Sequence, residues 1–265
     1  MLVLPASIMT DPKNDSRISR SIWFTDEIGE YSIEILPHEK IVWKDKKIEF
    51  IKPNTVSLSL SISDKELVRA KGVFKTKIEP ILFDGIKLRV KNIELQTLYD
   101  YLEAIQTSLI FSYNAVEAFS NISIPNSFIY ETTNPKGVKE SWSKENIERW
   151  MSTSDKLNEI IPRVLNCEKP NKLPFWSNFT ILEKLRNNII HPKTSELLFK
   201  ESQSHYEEFL KEGIFTTIQS GYKIIEHFCN IDKENILYPA EYWDKVERTY
   251  KVKSFADLKF LNRDT

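Results

Sequence analysis

The sequence is short of the parts that most familiar chemistries need. Two cysteines, Cys167 and Cys229, are all it has in 265 residues, which is no disulfide framework, and its N-terminus has no charged segment leading into an apolar stretch of signal-peptide length. A reduced, cytoplasmic chain is expected. No apolar run reaches the roughly 18 residues of a membrane span, so no membrane partner is expected. There is no Gly-rich phosphate loop, no Walker motif and no G-x-S-x-G elbow, which removes two common catalytic schemes. Internal repeats and low-complexity segments are missing too. An excess of basic charge is also lacking: 37 Lys and Arg face 38 Asp and Glu, for a net charge of −1. A protein that grips long nucleic acid through many phosphates is usually basic, so any RNA contact is expected to be local, at a cleft or an interface. His205, His227 and Cys229 suggest metal ligation, but His227 and Cys229 are two residues apart and cannot share one helical face. Neither a metal nor another cofactor is expected.

What is present divides by periodicity. After turn material at residues 11–15, short β-branched and aromatic runs recur at residues 22–24, 31–35, 41–43 and 47–51, separated by Gly29, Pro37 with His38, and a turn at residues 44–46. Residues 55–62 alternate hydroxyl and aliphatic side chains and read as a half-buried strand. Asp84 and Gly85, between apolar residues 81–83 and 86–90, read as a hairpin turn. A small β-rich N-terminal domain is expected over residues 1–92, its role either packing against helices or selecting a substrate or partner.

From residue 93 the period changes. Leu95, Leu98, Leu102, Ile105, Leu109, Tyr113, Val116 and Phe119 recur at three and four, which predicts one long amphipathic helix over residues 93–120, its apolar face widened by Tyr99, Ile110 and Phe111. Residues 126–139 read as a polar loop. Ser143 is a candidate cap for a short helix, and Ser154 for another that reaches Leu165 and is kinked or truncated by Pro162. Helices over residues 195–210 and 214–229 complete a helical bundle over residues 93–230, the second burying Ile214, Ile218, Tyr222, Ile225 and Phe228. The tail, residues 231–265, is read as a strap on the bundle or a contact for a second chain. The fold class is therefore α+β.

The chemistry concentrates in residues 180–192. Thr180 with Glu183 reads as a capping box opening a helix that Pro192 stops. At about 100° per residue, Ile181, Leu182, Leu185 and Ile189 cluster on one side, and Arg186, Asn187 and His191 share roughly a 140° arc on the other, with Ile190 exposed among them. Arginine is always charged and forks onto phosphate, and imidazole as a class exchanges protons near neutrality. A histidine that deprotonates an RNA 2′-hydroxyl, beside an arginine that balances the phosphate's developing charge, needs no metal. The same three residues also fit an ordinary helix end, where the macrodipole favours His and where Asn is frequent.

The R-N-x-x-x-H spacing of Arg186, Asn187 and His191 resembles the signature of the HEPN superfamily. The resemblance extends upstream, to Ser154, Asp155, Lys156 and Leu157, to Ile160, Ile161, Pro162, Val164 and Leu165, and through a polar loop holding Lys172 and Pro174 to Trp176, Phe179, Leu182 and Leu185. Residues 112–121, S-Y-N-A-V-E-A-F-S-N, are similar to the first-helix segment of that family. It covers roughly residues 95–230 and leaves the first ninety aside.

The resemblance implies an antiparallel helical bundle and a metal-independent endoribonuclease, which leaves a 2′,3′-cyclic phosphate and a 5′-hydroxyl. His191 would transfer the proton, Arg186 would hold the phosphate, and Asn187 would position the scissile group or the His. Glu117 is either an acid near the Arg and His that orients or charges the imidazole, or an exposed helical Glu. The motif departs from the family pattern where Tyr113 stands four residues before Glu117, a place usually polar. Lys169, Lys172, Lys184, Arg186 and Lys193 form either a positive rim for RNA or an ordinary solvated surface. Kinship further implies a homodimer with the site at its interface and a toxin or abortive-infection role against phage, with an antitoxin or defence-system partner. The alternative is a non-catalytic HEPN-like interaction or RNA-binding module.

Overall fold

A computed structural model of the chain describes residues 15–26, 32–35, 37–82, 92–133, 136–192, 205–233, 235, 237–239, 242 and 249–252. The chain is mostly helical with small sheets, and it forms two compact units. One unit combines residues 1–57 with residues 233–265, and the other holds residues 58–232. This differs from the three-part division expected above. The described tail residues fold with the N-terminal strands, and the helical part starts well before residue 93.

In the first unit, β1 (Ile22–Asp26) pairs antiparallel with β2 (Ser32–Ile35) and parallel with β7 (Thr249–Val252). Next, β3 (His38–Trp43) and β4 (Lys46–Ile51) form a hairpin closed by Lys44 and Asp45, both at positive φ, 48° and 62°. Two consecutive left-handed residues match the right-handed twist of the flanking strands. Polar side chains pin the tail to this unit: Arg20 donates to the carbonyls of Asn235 and Pro239, and Asn54 Nδ2 donates to Leu237 O at 3.0 Å. These four expected strands are present, with His38 inside one of them.

The expected strand at residues 55–62 is instead the start of a helix, α1 (Thr55–Val73). Asn54 is its N-cap, its Oδ1 accepting from Ser57 N at 3.0 Å. The alternation misled because the serines are not the solvent side: Ser57 and Ser59 are buried, and Leu58 is exposed. The true stripe is Leu60, Ser63, Leu67 and Ala70, and it runs on through a widened π turn (Phe74–Ile78) into α2 (Glu79–Leu82). Residues 81 and 82 are therefore helical, and the hairpin turn expected at residues 84–85 lies outside the described residues.

The long helix is present as α3 (Asn92–Ile122). Its buried residues include Tyr101, Ala104, Ile105, Leu109, Val116 and Phe119, whereas Tyr99 is exposed. The polar loop expected after it is in fact a hairpin, β5 (Ile129–Thr133) and β6 (Lys139–Ser143). Its Tyr130 and Trp142 pack on a small core of Ile124, Ile147 and Ile160, so tertiary burial holds strands that the composition of the segment does not announce. Ser143 caps α4 (Lys144–Trp150) as expected. The next helix is capped by Ser152 rather than Ser154, and it runs as α5 (Thr153–Asp155), a second π turn (Lys156–Ile160) and α6 (Ile161–Leu165), with Pro162 in its first turn.

A short 3₁₀ turn (Pro170–Lys172) leads into α7 (Trp176–Ile190), followed by α8 (His205–Phe209) and α9 (Gly213–Ile231). Residues 195–204 of the helix expected there lie outside the described residues. Helices α3, α7 and α9 pack against one another. Small residues let them approach: Ser112 Oγ donates to Ile218 O at 2.8 Å, and a methyl group on Gly221 would overlap Ser112 Oγ and stand 3.3 Å from Ser112 O and Val116 Cγ2. Serines 63 and 108 exchange hydroxyl-to-carbonyl bonds of 2.8 Å between α1 and α3. Among the described residues no helix is long and apolar enough to cross a membrane.

Two of the helical glycines give opposite expectations. Gly221→Ala gains about 1 kcal/mol of helix propensity but loses about 1–3 kcal/mol to overpacking, for a net loss near 1 kcal/mol in urea unfolding. Gly72→Ala, which meets nothing within 4 Å, keeps only the gain, up to about 1 kcal/mol. Equal shifts of one sign in both would contradict the close approach of α9 to α3.

Candidate active site

Helix α7 begins four residues before the capping box read from the sequence. Turns closed by Trp176 N to Leu173 O at 3.0 Å and Phe179 N to Phe175 O at 3.1 Å carry the chain into it. Thr180 is interior, its hydroxyl donating back to Trp176 O at 2.9 Å. Glu183 does not reach back to Thr180 because two other donors hold it. The buried stripe is Phe179, Leu182 and Leu185. Ile181, expected in the core, is 40 % exposed, because the stripe is set by Phe179 and not by it. Ile190 is 44 % exposed. The helix stops before Pro192, with His191 leaving helical geometry at φ −125° while its N–H still reaches Asn187 O at 2.9 Å.

Arg186 is the centre of the polar face. Its Nη2 lies 3.5 Å from Glu117 Oε2 of α3, its Nη1 donates to Asn187 Oδ1 at 3.1 Å, and its Cζ stands 4.9 Å from the centre of the Tyr113 ring. The two charged side chains are 22 % and 40 % exposed. A pair so open to water adds about 0–1 kcal/mol to stability, so its consequence is orientation. Guanidinium has five N–H donors, more than these contacts use, and its side chain keeps 22 % of its surface exposed. An oxyanion is the ligand such a fork accepts.

Beneath the pair lies a half-buried polar layer that the sequence reading did not assign. Tyr113 donates from its hydroxyl to Glu183 Oε1 at 2.9 Å, and Ser154 donates to Glu183 Oε2 at 2.6 Å. Tyr113 stacks on Phe179, with ring centres 6.2 Å apart and planes 7° from parallel. Burial pushes the Tyr113 hydroxyl well above its ordinary range, a hydrogen bond with Thr153 opposes this, and Glu183 and Glu117 add to the rise, so it stays a neutral donor. Lys156, in the second π turn, is only 2 % exposed and donates to Asn121 Oδ1 at 2.8 Å and to Glu148 O at 3.1 Å. The signal available was spacing: Tyr113, Glu117 and Asn121 follow one another at four residues on α3, and Glu183 precedes Arg186 by three on α7.

Arg186, Asn187 and Glu117 are thus brought together, Glu117 through its ion pair with Arg186. His191 lies exposed at the end of the same helix. The candidate lysine rim is not gathered. Lys169 is ion-paired with Glu159, Lys172 is exposed in the turn that precedes α7, at the end opposite His191, and Lys184 is exposed two residues before Arg186, about 200° around the helix. Lys193 lies outside the described residues. Among the described residues no group of three or more His, Cys, Asp or Glu is placed to hold a metal ion.

The buried lysine gives this layer a pH signature. Burial lowers the Lys156 pKa from the ordinary 10.5, with Glu117 and Glu148 opposing. The folded chain therefore binds this proton less tightly than the unfolded chain, and between the lowered value and 10.5 stability rises with pH. Lys156→Met removes that contribution. In urea unfolding, the native chain is expected to gain on the variant as pH is raised from about 8 to about 10, and a constant difference would contradict the buried amine.

No family model, no curated protein and no solved structure matches the chain.

Proposed function

We propose that the chain is a metal-independent endoribonuclease of the HEPN type, with residues 93–230 as its antiparallel bundle. The observation that carries this reading is the meeting of Glu117, from the segment similar to the family's first helix, with Arg186 of the R-N-x-x-x-H motif at 3.5 Å. Two stretches singled out separately in the sequence come together on one exposed polar face.

On this reading His191 takes the proton of an RNA 2′-hydroxyl, and the oxygen attacks the adjoining phosphorus. The P–O5′ bond breaks, leaving a 2′,3′-cyclic phosphate, and a proton delivered to O5′ completes the 5′-hydroxyl. Arg186, oriented by Glu117 and Asn187, holds the phosphate and balances the charge that grows on it. A second copy applied to this face would place two such motifs opposite one another, and the exposed Ile190 suits that arrangement. The biological role that goes with the reading is that of a toxin or anti-phage effector, with an antitoxin or defence-system partner.

One observation favours a second reading, a non-catalytic RNA-binding or interaction module. Arg186 already has partners on three sides, whereas His191 has no hydrogen bond from its imidazole to any described residue. Incubation of the purified chain with total RNA in EDTA separates the two. The native chain is expected to cleave, leaving cyclic-phosphate ends, and His191→Ala and Arg186→Ala are each expected to lose activity by about 100-fold or more. Melting temperatures are expected to stay near native, because the face is not core. Equal cleavage by all three chains would overturn the site. Binding without cleavage, lost in Arg186→Ala, would establish the second reading.

A further inference from the structure

Glu183 lies three residues before Arg186 on α7, a spacing at which Glu and Arg ordinarily pair on a helix surface. They do not pair here. Among the described residues the ion pair of Arg186 is with Glu117, and both oxygens of Glu183 are taken by neutral hydroxyls, Tyr113 on one and Ser154 on the other. The same Tyr113 turns its ring to the guanidinium, 4.9 Å away, and is itself 4 % exposed and stacked on Phe179.

We infer that Tyr113 is a positioning residue for Arg186, which it serves twice: its hydroxyl keeps Glu183 from capturing the guanidinium, and its ring supports the guanidinium in a pose open to an RNA phosphate. The inference rests on the reading of Arg186 as the phosphate-binding group. A carboxylate released from its hydroxyl donor, one turn from an arginine, competes directly with a phosphate for the same N–H groups. The phenol is suited to the task because it is neutral and buried. It satisfies Glu183 without adding a charge, and a cation over a shielded ring is held more firmly than one over a solvated ring. Ser154 alone cannot do this, since it reaches only one of the two oxygens.

The test uses the full chain and a mixed-sequence RNA carrying 2′-O-methyl groups throughout, which binds but has no 2′-hydroxyl to react. Tyr113→Phe keeps the ring and frees one oxygen of Glu183. Its dissociation constant is expected to rise about tenfold. Adding Glu183→Gln removes the competing charge and is expected to restore affinity to within about threefold of native. Tyr113→Leu loses the ring as well, so Glu183→Gln restores it only in part. A purely structural tyrosine predicts no such rescue, since the second substitution removes a further partner from the same layer. Unchanged affinity in Tyr113→Phe, or a double variant no better than the single one, would overturn the inference. Arg186→Ala measured alongside separates the two failures: if it too binds like the native chain, the phosphate-binding reading has failed, and if it alone binds weakly, only the role of Tyr113 has failed.

Discussion

A helix of 31 residues that is buried along much of its length must account for every polar group it carries into the core. Helix α3 meets that constraint one side chain at a time. Tyr101 donates to Phe209 O, Ser108 exchanges bonds with Ser63, Ser112 donates to Ile218 O, Tyr113 to Glu183, and Asn121 accepts from Lys156. Each partner comes from a different part of the helical unit. A buried donor without a partner costs about 1–3 kcal/mol, so these bonds fix which helix lies where more sharply than apolar packing alone, which tolerates sliding. The candidate site belongs to this pattern. It is the place where the row of satisfied polar groups on α3 reaches the surface.

That position explains why the site mixes rigid and open parts. Tyr113 and Glu183 are held below, and Glu117 and Arg186 are held at the edge by one water-exposed pair. His191 lies beyond the last helical residue. Preorganised groups aimed at developing charge act without further reorganisation, and in the proposed function this is what the layer beneath Arg186 supplies. In the proposed function a histidine at the helix terminus takes its alignment from the substrate or from a second copy. The near-neutral net charge accords with the proposed function, in which one supported arginine, rather than a basic surface, meets the phosphate.

Much of this was legible in the sequence, and the rest was hidden for identifiable reasons. Apolar positions at three and four over residues 93–120 mark α3 because its buried face is wide and continuous. The end of α7 is marked by Pro192. Residues 55–62 misled because α1 buries serines, and buried serines imitate the polar half of a strand. The β5–β6 hairpin could not be read because its large anchors, Tyr130 and Trp142, are only partly buried, and their reason for being strand is a small core of Ile124, Ile147 and Ile160 that lies outside the two strands. The cap assigned to Thr180 and Glu183 failed on competition. Glu183 had a local use available, but Tyr113 of α3 and Ser154 of α5 claimed both of its oxygens.

The same competition decides how the motif itself should be weighed. Six residues of R-N-x-x-x-H describe a helix end and recur without function, since each residue has an ordinary reason to be there. What distinguishes this instance is the set of partners: a buried tyrosine and a half-buried serine and glutamate are arranged so that Arg186 pairs with Glu117 from another helix instead of with its own i−3 neighbour. A surface helix gains nothing from that arrangement, because an exposed pair contributes about the same wherever its acid comes from. The gain appears only if the outward side of the guanidinium has a use. The layer beneath Arg186, more than the spacing of the motif, is the physical ground for treating this face as a site.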